Sequence, residues 1–207
     1  MIREKKECDF MNDTINYYDK NADRFITGTV NADMSDIQSE FLTYIPENGY
    51  ILDFGCGSGR DSKAFLDKGY KVLSVDGSIE MCKAAEQLTG QEVIHSLFQN
   101  FTWDEKFDGI WACASLLHLS REDIGPVLNK LSGLLKENGC LYVSFKYGDF
   151  SGNRNGRFFT DLTESSLGAI VETIPGLQLI KYEITEDVRP DRQERWLNAF
   201  YTGVENG

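Results

Sequence analysis

The 207-residue chain is short of positive charge: 21 lysines and arginines stand against 33 aspartates and glutamates, a formal net charge of −12. Such a surface repels phosphate backbones and anionic lipid heads, so neither a nucleic-acid nor a membrane partner is expected. The five cysteines (Cys8, Cys56, Cys82, Cys113, Cys140) include no Cys-x-x-Cys pair. An odd count without ligand spacing argues against a disulfide framework and against a metal site, and it fits reduced thiols in a cytoplasmic protein. No apolar run is long enough to cross a membrane, and the charged start Met1 to Glu7 does not resemble a signal peptide. Internal repeats and low-complexity tracts are missing too. The length suits one α/β domain spanning 1–207.

What is present is alternation. Ile15, Tyr18, Ala22 and Phe25 recur at helical spacing, and Ile37, Phe41, Leu42 and Ile45 do so again, which predicts a cap of two helices over 1–45. Strands follow at 50–54, 71–75, 92–95, 107–113 and 139–147, with helices at 60–68, 78–88 and 121–136. That pattern predicts an α/β fold, a doubly wound, mostly parallel sheet forming a Rossmann-like core over 50–207. After a helix near 163–173, strands 177–186 and 195–202 have no helix between them, so they pair as an antiparallel terminal hairpin. The Gly/Asn/Arg-rich segment Gly148 to Arg157 reads as a mobile loop.

Ile51-Leu52-Asp53-Phe54-Gly55-Cys56-Gly57-Ser58-Gly59-Arg60 reads as a buried strand entering a glycine turn that opens a helix. Its spacing is G-x-G-x-G, not the G-x-G-x-x-G of a dinucleotide site. Asp53, two residues before the first glycine, would repel a pyrophosphate and suits a ligand carrying an ammonium and a sulfonium group. Downstream, Lys71-Val72-Leu73-Ser74-Val75-Asp76 is an apolar strand ending in a carboxylate. One strand–helix–strand unit separates the two acids, so Asp76 lies at the carboxyl end of the neighbouring strand, where it can accept bonds from both hydroxyls of a ribose. With Gly77-Ser78 behind it, the pair resembles motifs I and II of the class I S-adenosylmethionine-dependent methyltransferases. The Gly-Cys-Gly-Ser-Gly-Arg-Asp loop at 55–61 and Leu-Leu-His at 116–118 are similar to the tellurite-resistance-type and general methyltransferase-domain enzymes of that class. The resemblance implies a seven-stranded sheet, S-adenosylmethionine as cofactor and S-adenosylhomocysteine as product.

It also implies a cofactor site. The backbone of Gly55, Cys56 and Gly57 would touch the methionine part, and Asp76, Gly77, Ser78 and Met81 the nucleoside, with Met81 under the adenine. Each has a plainer reading: Asp76 as a helix cap, Met81 as core filler. Arg60 either meets the cofactor carboxylate or faces solvent on a first helical turn. Beyond the third strand, Phe98 can pack on the adenine and Gln99 can bond its edge, or both are turn residues. Tyr18, on the first helix, would lie over the cofactor.

The segment Trp111 to His118 contains no [DNS]-P-P-[FYW] motif and no Pro-Cys pair, which speaks against methylation of DNA amino groups or of cytosine C5. The resemblance puts the backbone of Ala112 to Ala114 near the cofactor, with Ala114 among its contacts. His118 is the candidate catalytic residue, since an imidazole titrates near neutral pH, with simple packing as the alternative. Tyr142 and Lys146 match a dehydrogenase Tyr/Lys spacing, but on a strand they stand about 13 Å apart. On the acceptor side, beside Lys146 and Tyr147, the cationic cluster Arg154, Arg157, Arg192 and Arg195 could clamp a carboxylate or phosphate, or else is a solvated loop.

These readings converge on a methyltransferase acting on a small molecule with an anionic group. The alternative is a module that holds S-adenosylmethionine without transferring its methyl, which the cofactor motifs do not separate because the acceptor site is built elsewhere. In-line transfer would draw mainly on positioning and exclusion of water.

Overall fold

The computed structural model describes residues 12–189 and 192–204. Cys8, the charged start and Pro190-Asp191 lie outside the described residues. In chain order come helices α1 (12–20), α2 (Ala22–Thr29) and α3 (Ser35–Leu42), then β1 (Tyr50–Phe54), α4 (Arg60–Asp67), β2 (Lys71–Asp76), α5 (Ile79–Thr89), β3 (Val93–His95) and β4 (Phe107–Ala112). A single 3-10 turn, Leu116–His118, leads to α6 (Arg121–Leu134) and β5 (Leu135–Lys146). The chain continues with β6 (Ser151–Arg154), β7 (Arg157–Thr160), α7 (Glu164–Val171), β8 (Leu177–Glu186) and β9 (Arg195–Gly203).

Seven strands form one sheet in the order β3-β2-β1-β4-β5-β9-β8. The first five run parallel, and β9 pairs antiparallel with both β5 and β8. The order reverses between β1 and β4, the place where an open α/β sheet leaves a crevice at its carboxyl edge. Strand parity splits the core. Leu52 and Phe54 point to the larger cluster, shared with Ile124, Leu128 and Leu131 of α6 and Leu167 of α7. Ile51 points the other way, into a cluster with Phe41, Ile45, Phe65, Trp111, Tyr142 and Phe200.

Local chemistry sets the helix ends. Ser78 accepts from the N–H of Met81 and Ser120 from that of Asp123, each satisfying a free donor of a first turn, and Thr163 with Ser166 forms a reciprocal capping box on α7. The cap has one helix more than its periodicity predicts. Asn21 leaves helical geometry at φ −121° and ψ 20°, so the run Ile15 to Phe25 divides into α1 and α2.

One expectation is corrected outright. Gly148 to Arg157 is not an open loop: β6 and β7 pair antiparallel from Ser151↔Thr160 to Arg154↔Arg157. The connection is Asn155-Gly156 at φ 51° and 82°, the left-handed pair of a two-residue hairpin turn, and an Asn-Gly dipeptide is the residue pair best suited to it.

The cap sits on the sheet through Gly109 of β4. A Cβ there would come within 2.6 Å of Ile45 Cδ1 and 2.7 Å of Phe41 Cζ, so only glycine lets the α3 end lie this close. Gly109→Val should therefore destabilise the fold by about 1–3 kcal/mol, as overpacking a filled core does. Urea unfolding followed by tryptophan fluorescence checks this; unchanged stability would mean that the cap does not rest on β4.

Candidate functional site

The glycine turn after β1 is pinned before any ligand is considered. The N–H groups of Gly55 and Cys56 both donate to Val75 O, at 2.8 and 3.0 Å, and Gly57 N–H donates to Asp76 Oδ2 at 2.8 Å. Gly55 (φ 88°) has no room for a side chain, since a Cβ would stand 2.4 Å from Ser115 Cβ. Asp76 Oδ1 accepts from Ser78 N–H at 2.8 Å, so this half-buried carboxylate spans the loop after β1 and the start of α5. Burial raises its pKa, against the pull of the Ser78 and Gly57 N–H groups.

A cavity of about 1100 Å³ opens at the β1/β4 crevice. Gly55, Cys56, Gly57, Arg60, Asp76, Gly77, Met81, Phe98 and Ala114 line it, as do Tyr18, His118, Lys146 and Arg157. The structure thus brings together most of the residues singled out from sequence. It also adds Phe25, Ser115 and Phe159, which no motif marked. Ala114 holds φ 50°, a left-handed backbone unusual for alanine, with its N–H donated to Ser144 Oγ at 2.8 Å. Beside it, Ser115 Oγ is buried without a partner.

Several expected site residues are elsewhere. Asp53 does not line the cavity: it shares strand parity with Ile51, faces α4 and accepts from Ser62 Oγ at 2.5 Å, which also bonds Ser74. Gln99 is exposed and off the wall, its carbonyl accepting from Lys130. Ser78 is buried as the α5 cap and donates to Asp19. Arg60 does line the cavity, but Asp61 takes its Nε and Nη2 at 2.8 Å and Thr29 O its Nη1 at 3.3 Å. Arg154 is held on Asp161 by two bonds of 3.0 and 2.7 Å, and exposed Arg195 lies over the Tyr147 ring at 4.5 Å; none of the three reaches the cavity. Tyr142 and Lys146 both belong to β5, which removes the dehydrogenase pair.

The opposite wall is built by α1, the 3-10 turn and the β6–β7 hairpin. His118 is buried; its Nδ1 lies 2.7 Å from Phe158 O and its Nε2 2.8 Å from Tyr18 Oη. Arg157 Nη1 donates to the same Tyr18 oxygen at 3.2 Å. The Arg157 guanidinium lies 4.8, 5.6 and 5.0 Å from the ring centres of Tyr17, Tyr18 and Phe159. Burial first, and then the charges of Arg157 and Lys146, push the His118 pKa down to about 4, so the ring is neutral at physiological pH. A base that weak is poorly matched to removing a proton near neutrality, which corrects the expectation drawn from the free imidazole.

Residues 51–139 match the family model described as Methyltransferase domain. The glycine/sarcosine N-methyltransferase of Aphanothece halophytica is 30% identical over 176 residues, 77% of this chain and 64% of the relative. The Bacillus subtilis protein YqeM is 30% identical over 116 residues, 51% of this chain and 47% of its own length. The chain thus spans about half to two thirds of these relatives. In fold it resembles the Burkholderia thailandensis 1,6-didemethyltoxoflavin-N1-methyltransferase (TM-score 0.78, 18% identity, 96% of this chain and 91% of that one). It also resembles a TehB-like methyltransferase of Corynebacterium glutamicum (TM-score 0.67, 20% identity, 92% and 97%). The core over residues 51–139 is thus similar to the class I S-adenosylmethionine-dependent methyltransferases. The seven-stranded sheet with a reversed terminal hairpin is the fold of that class. Among the described residues no helix is long and apolar enough to cross a membrane, and no cluster of three or more His, Cys, Asp or Glu is placed to hold a metal.

Two buried groups give this fold a pH signature. Burial, then the charge of Asp61, pushes Asp53 up to about 8, whereas an unfolded chain releases that proton near about 3.9. The native state therefore binds the extra proton between these values, and stability falls as pH rises through the window. His118, at about 4 against about 6.5 unfolded, acts in the opposite sense below pH 6.5. Between about pH 6.5 and 8 only Asp53 of the two contributes. Asp53→Asn should flatten the decline in melting temperature across that interval; an unchanged slope would show that Asp53 is ionised throughout.

Proposed function

We propose that this chain transfers the methyl group of S-adenosylmethionine to a small-molecule acceptor that carries an anionic group. The observation that carries the reading is one cavity with two unlike walls. On the β1–β2 side lie the glycine turn, with no space at Gly55 for a side chain, and the Asp76 carboxylate. On the β5–β7 side lie aromatic rings around a guanidinium. The first wall fits the cofactor: close backbone approach at Gly55, Cys56 and Gly57, a carboxylate for ribose hydroxyls at Asp76, apolar surface from Met81 and Phe98 for the adenine, and the unpartnered Ser115 hydroxyl at its edge. When bound, S-adenosylmethionine supplies an electrophilic methyl on a sulfonium sulfur.

The second wall receives the acceptor. Among the cations of the cavity, Lys146 is paired with Glu194 at 2.6 Å, and Arg189 with Asp187. Arg157 has no carboxylate partner among the described residues, and its Nε is buried without one. Arg24 also lines the cavity but is exposed, so Arg157 is the group for an anion, set among rings that shield the pairing from water. Named activities of the relatives agree with small acceptors, one an amino acid and one a heterocycle. The acidic surface and the missing amino-methylation motif favour neither nucleic acid nor membrane as partner, and a cytoplasmic setting fits the unpaired thiols.

Calorimetry should show binding of S-adenosylmethionine and S-adenosylhomocysteine and none of NAD; tighter NAD binding would sink the assignment. Asp76→Ala removes a charged acceptor worth roughly 1.5–3 kcal/mol per bond, so cofactor affinity should fall at least tenfold in a protein that still folds.

Incubation with labelled cofactor and a metabolite extract should yield a labelled small molecule. For the acceptor so identified, Arg157→Ala should raise KM about tenfold or more with cofactor affinity nearly unchanged, while Arg154→Ala, off the cavity, should not. Equal effects of the two would remove the argument for an anionic acceptor.

A further inference from the structure

The hydrogen bonds around His118 admit one polarity. A carbonyl oxygen only accepts, so Phe158 O at 2.7 Å requires the proton on Nδ1. Phe158 is held in place by the hairpin and by its own N–H, which donates to Thr14 Oγ1 of α1 at 3.0 Å. Burial and the neighbouring cations Arg157 and Lys146 keep the ring neutral, so Nε2 is a bare acceptor. Tyr18, 2.8 Å away, must then donate its phenolic proton to Nε2. Arg157 Nη1 donates to the Tyr18 oxygen from another side at 3.2 Å. The phenol on the cavity wall has no proton left to give. It retains one acceptor position.

We propose that Tyr18 is a specificity-determining residue that accepts a hydrogen bond from the methyl acceptor, so that the acceptor's nucleophile is an amine or hydroxyl bearing its own N–H or O–H. This rests on the methyl-transfer reading above and narrows it to a chemical class. A tertiary amine, a thioether or a carboxylate oxygen has no proton to offer, and placing one against Tyr18 sets lone pair against lone pair in a partly buried site. A site built around such a bond discriminates strongly against an analogue that lacks the group, because its own polar atom is left unpaired. The two halves of the wall divide the work: Arg157 takes an anion, and Tyr18 takes a donor. His118 is a positioning residue here. It fixes which way the phenol points without touching the acceptor.

Two measurements test this. The chain has two histidines, so long-range proton–nitrogen spectra of the imidazoles contain two patterns, assigned by the loss of one in His118→Gln. His118 should carry its proton on Nδ1 from pH 6 to 8; a proton on Nε2 would reverse the chain of bonds and overturn the proposal. The second uses 4-aminobenzoate, 4-(methylamino)benzoate and 4-(dimethylamino)benzoate, with two, one and no N–H groups, titrated calorimetrically into protein saturated with S-adenosylhomocysteine. Affinity should hold over the first two and drop at least tenfold for the third. In Tyr18→Phe that last step should vanish. An equal drop in Tyr18→Phe, or no drop in the unmodified protein, would refute the role of the phenol. Absence of binding by all three counts against the anionic acceptor read from Arg157, and the position of the His118 proton then decides this proposal alone. Failure to bind S-adenosylhomocysteine would instead overturn the methyl-transfer reading on which both stand.

Discussion

Four N–H groups converge on the buried carboxylate of Asp61. Gln38 Nε2 (2.7 Å) and Arg60 Nε (2.8 Å) donate to Oδ1, and Arg60 Nη2 (2.8 Å) and Trp111 Nε1 (2.9 Å) to Oδ2. A carboxylate in such a place is tolerable only when its oxygens are fully served. Each donor comes from a different layer: Gln38 from α3, Arg60 from the first turn of α4, Trp111 from β4. The cap, the helix opened by the glycine turn and the sheet therefore share one ion. Arg60 extends the tie to Thr29 O at the end of α2. Two features of the site follow from this. Arg60 is committed within the chain rather than to a ligand carboxylate, and the Asp61 charge adds to burial in raising the pKa of Asp53.

The cap in turn governs access to the cavity through α1. Tyr18 and Asp19 are adjacent, about 100° apart around the helix, and so reach to different neighbours. Asp19 Oδ1 accepts from Ser78 Oγ at 2.5 Å at the start of α5, while Tyr18 donates to His118 on the opposite wall. Thr14, one turn earlier, takes the N–H of Phe158 from the hairpin. A single helix thus touches the start of α5, the 3-10 turn and the hairpin. A small tilt of α1 would alter all three together, since the contacts are short and directional.

The parallel sheet and the glycine-turn wall of the cavity were legible because their determinants are local: apolar runs of strand length, glycines at fixed spacing, a carboxylate at a strand end. β1 and β8 fall at the bounds their patterns predict, and Gly55, Asp76 and Met81 reach one cavity. What was not legible depends on direction and on distant partners. Asp53 was assigned to a ligand from its charge, although alternation with Leu52 and Phe54 already turned it toward α4. Asn155-Gly156 was a hairpin signal within a stretch whose glycine content suggested a loop. The fate of the arginines had no local signal. Arg154 is neutralised by Asp161, and a partner seven residues away across an unanticipated hairpin cannot be read from spacing. His118 is marked in the sequence by residue type alone, whereas its lowered pKa comes from burial and then from the charges of Arg157 and Lys146, which are distant in sequence.

That pattern of neutralisation also explains how so acidic a chain can offer an anion site. With 33 acidic against 21 basic residues, most cations near the cavity meet a carboxylate: Lys146 with Glu194, Arg189 with Asp187, Arg154 with Asp161, Arg60 with Asp61. Arg157 escapes because the surfaces around it come from aromatic residues of α1 and β7, Tyr17, Tyr18 and Phe159, which attract a guanidinium by their faces without cancelling its charge. The rings hold the cation, exclude competing carboxylates and lower the local dielectric. Whereas Arg24 on the same cavity is exposed, an incoming anion would meet at Arg157 a positive charge shielded from water. Binding would then be oriented by that one group, which leaves the rest of the acceptor to be placed by shape and by the hydrogen-bond polarity at Tyr18.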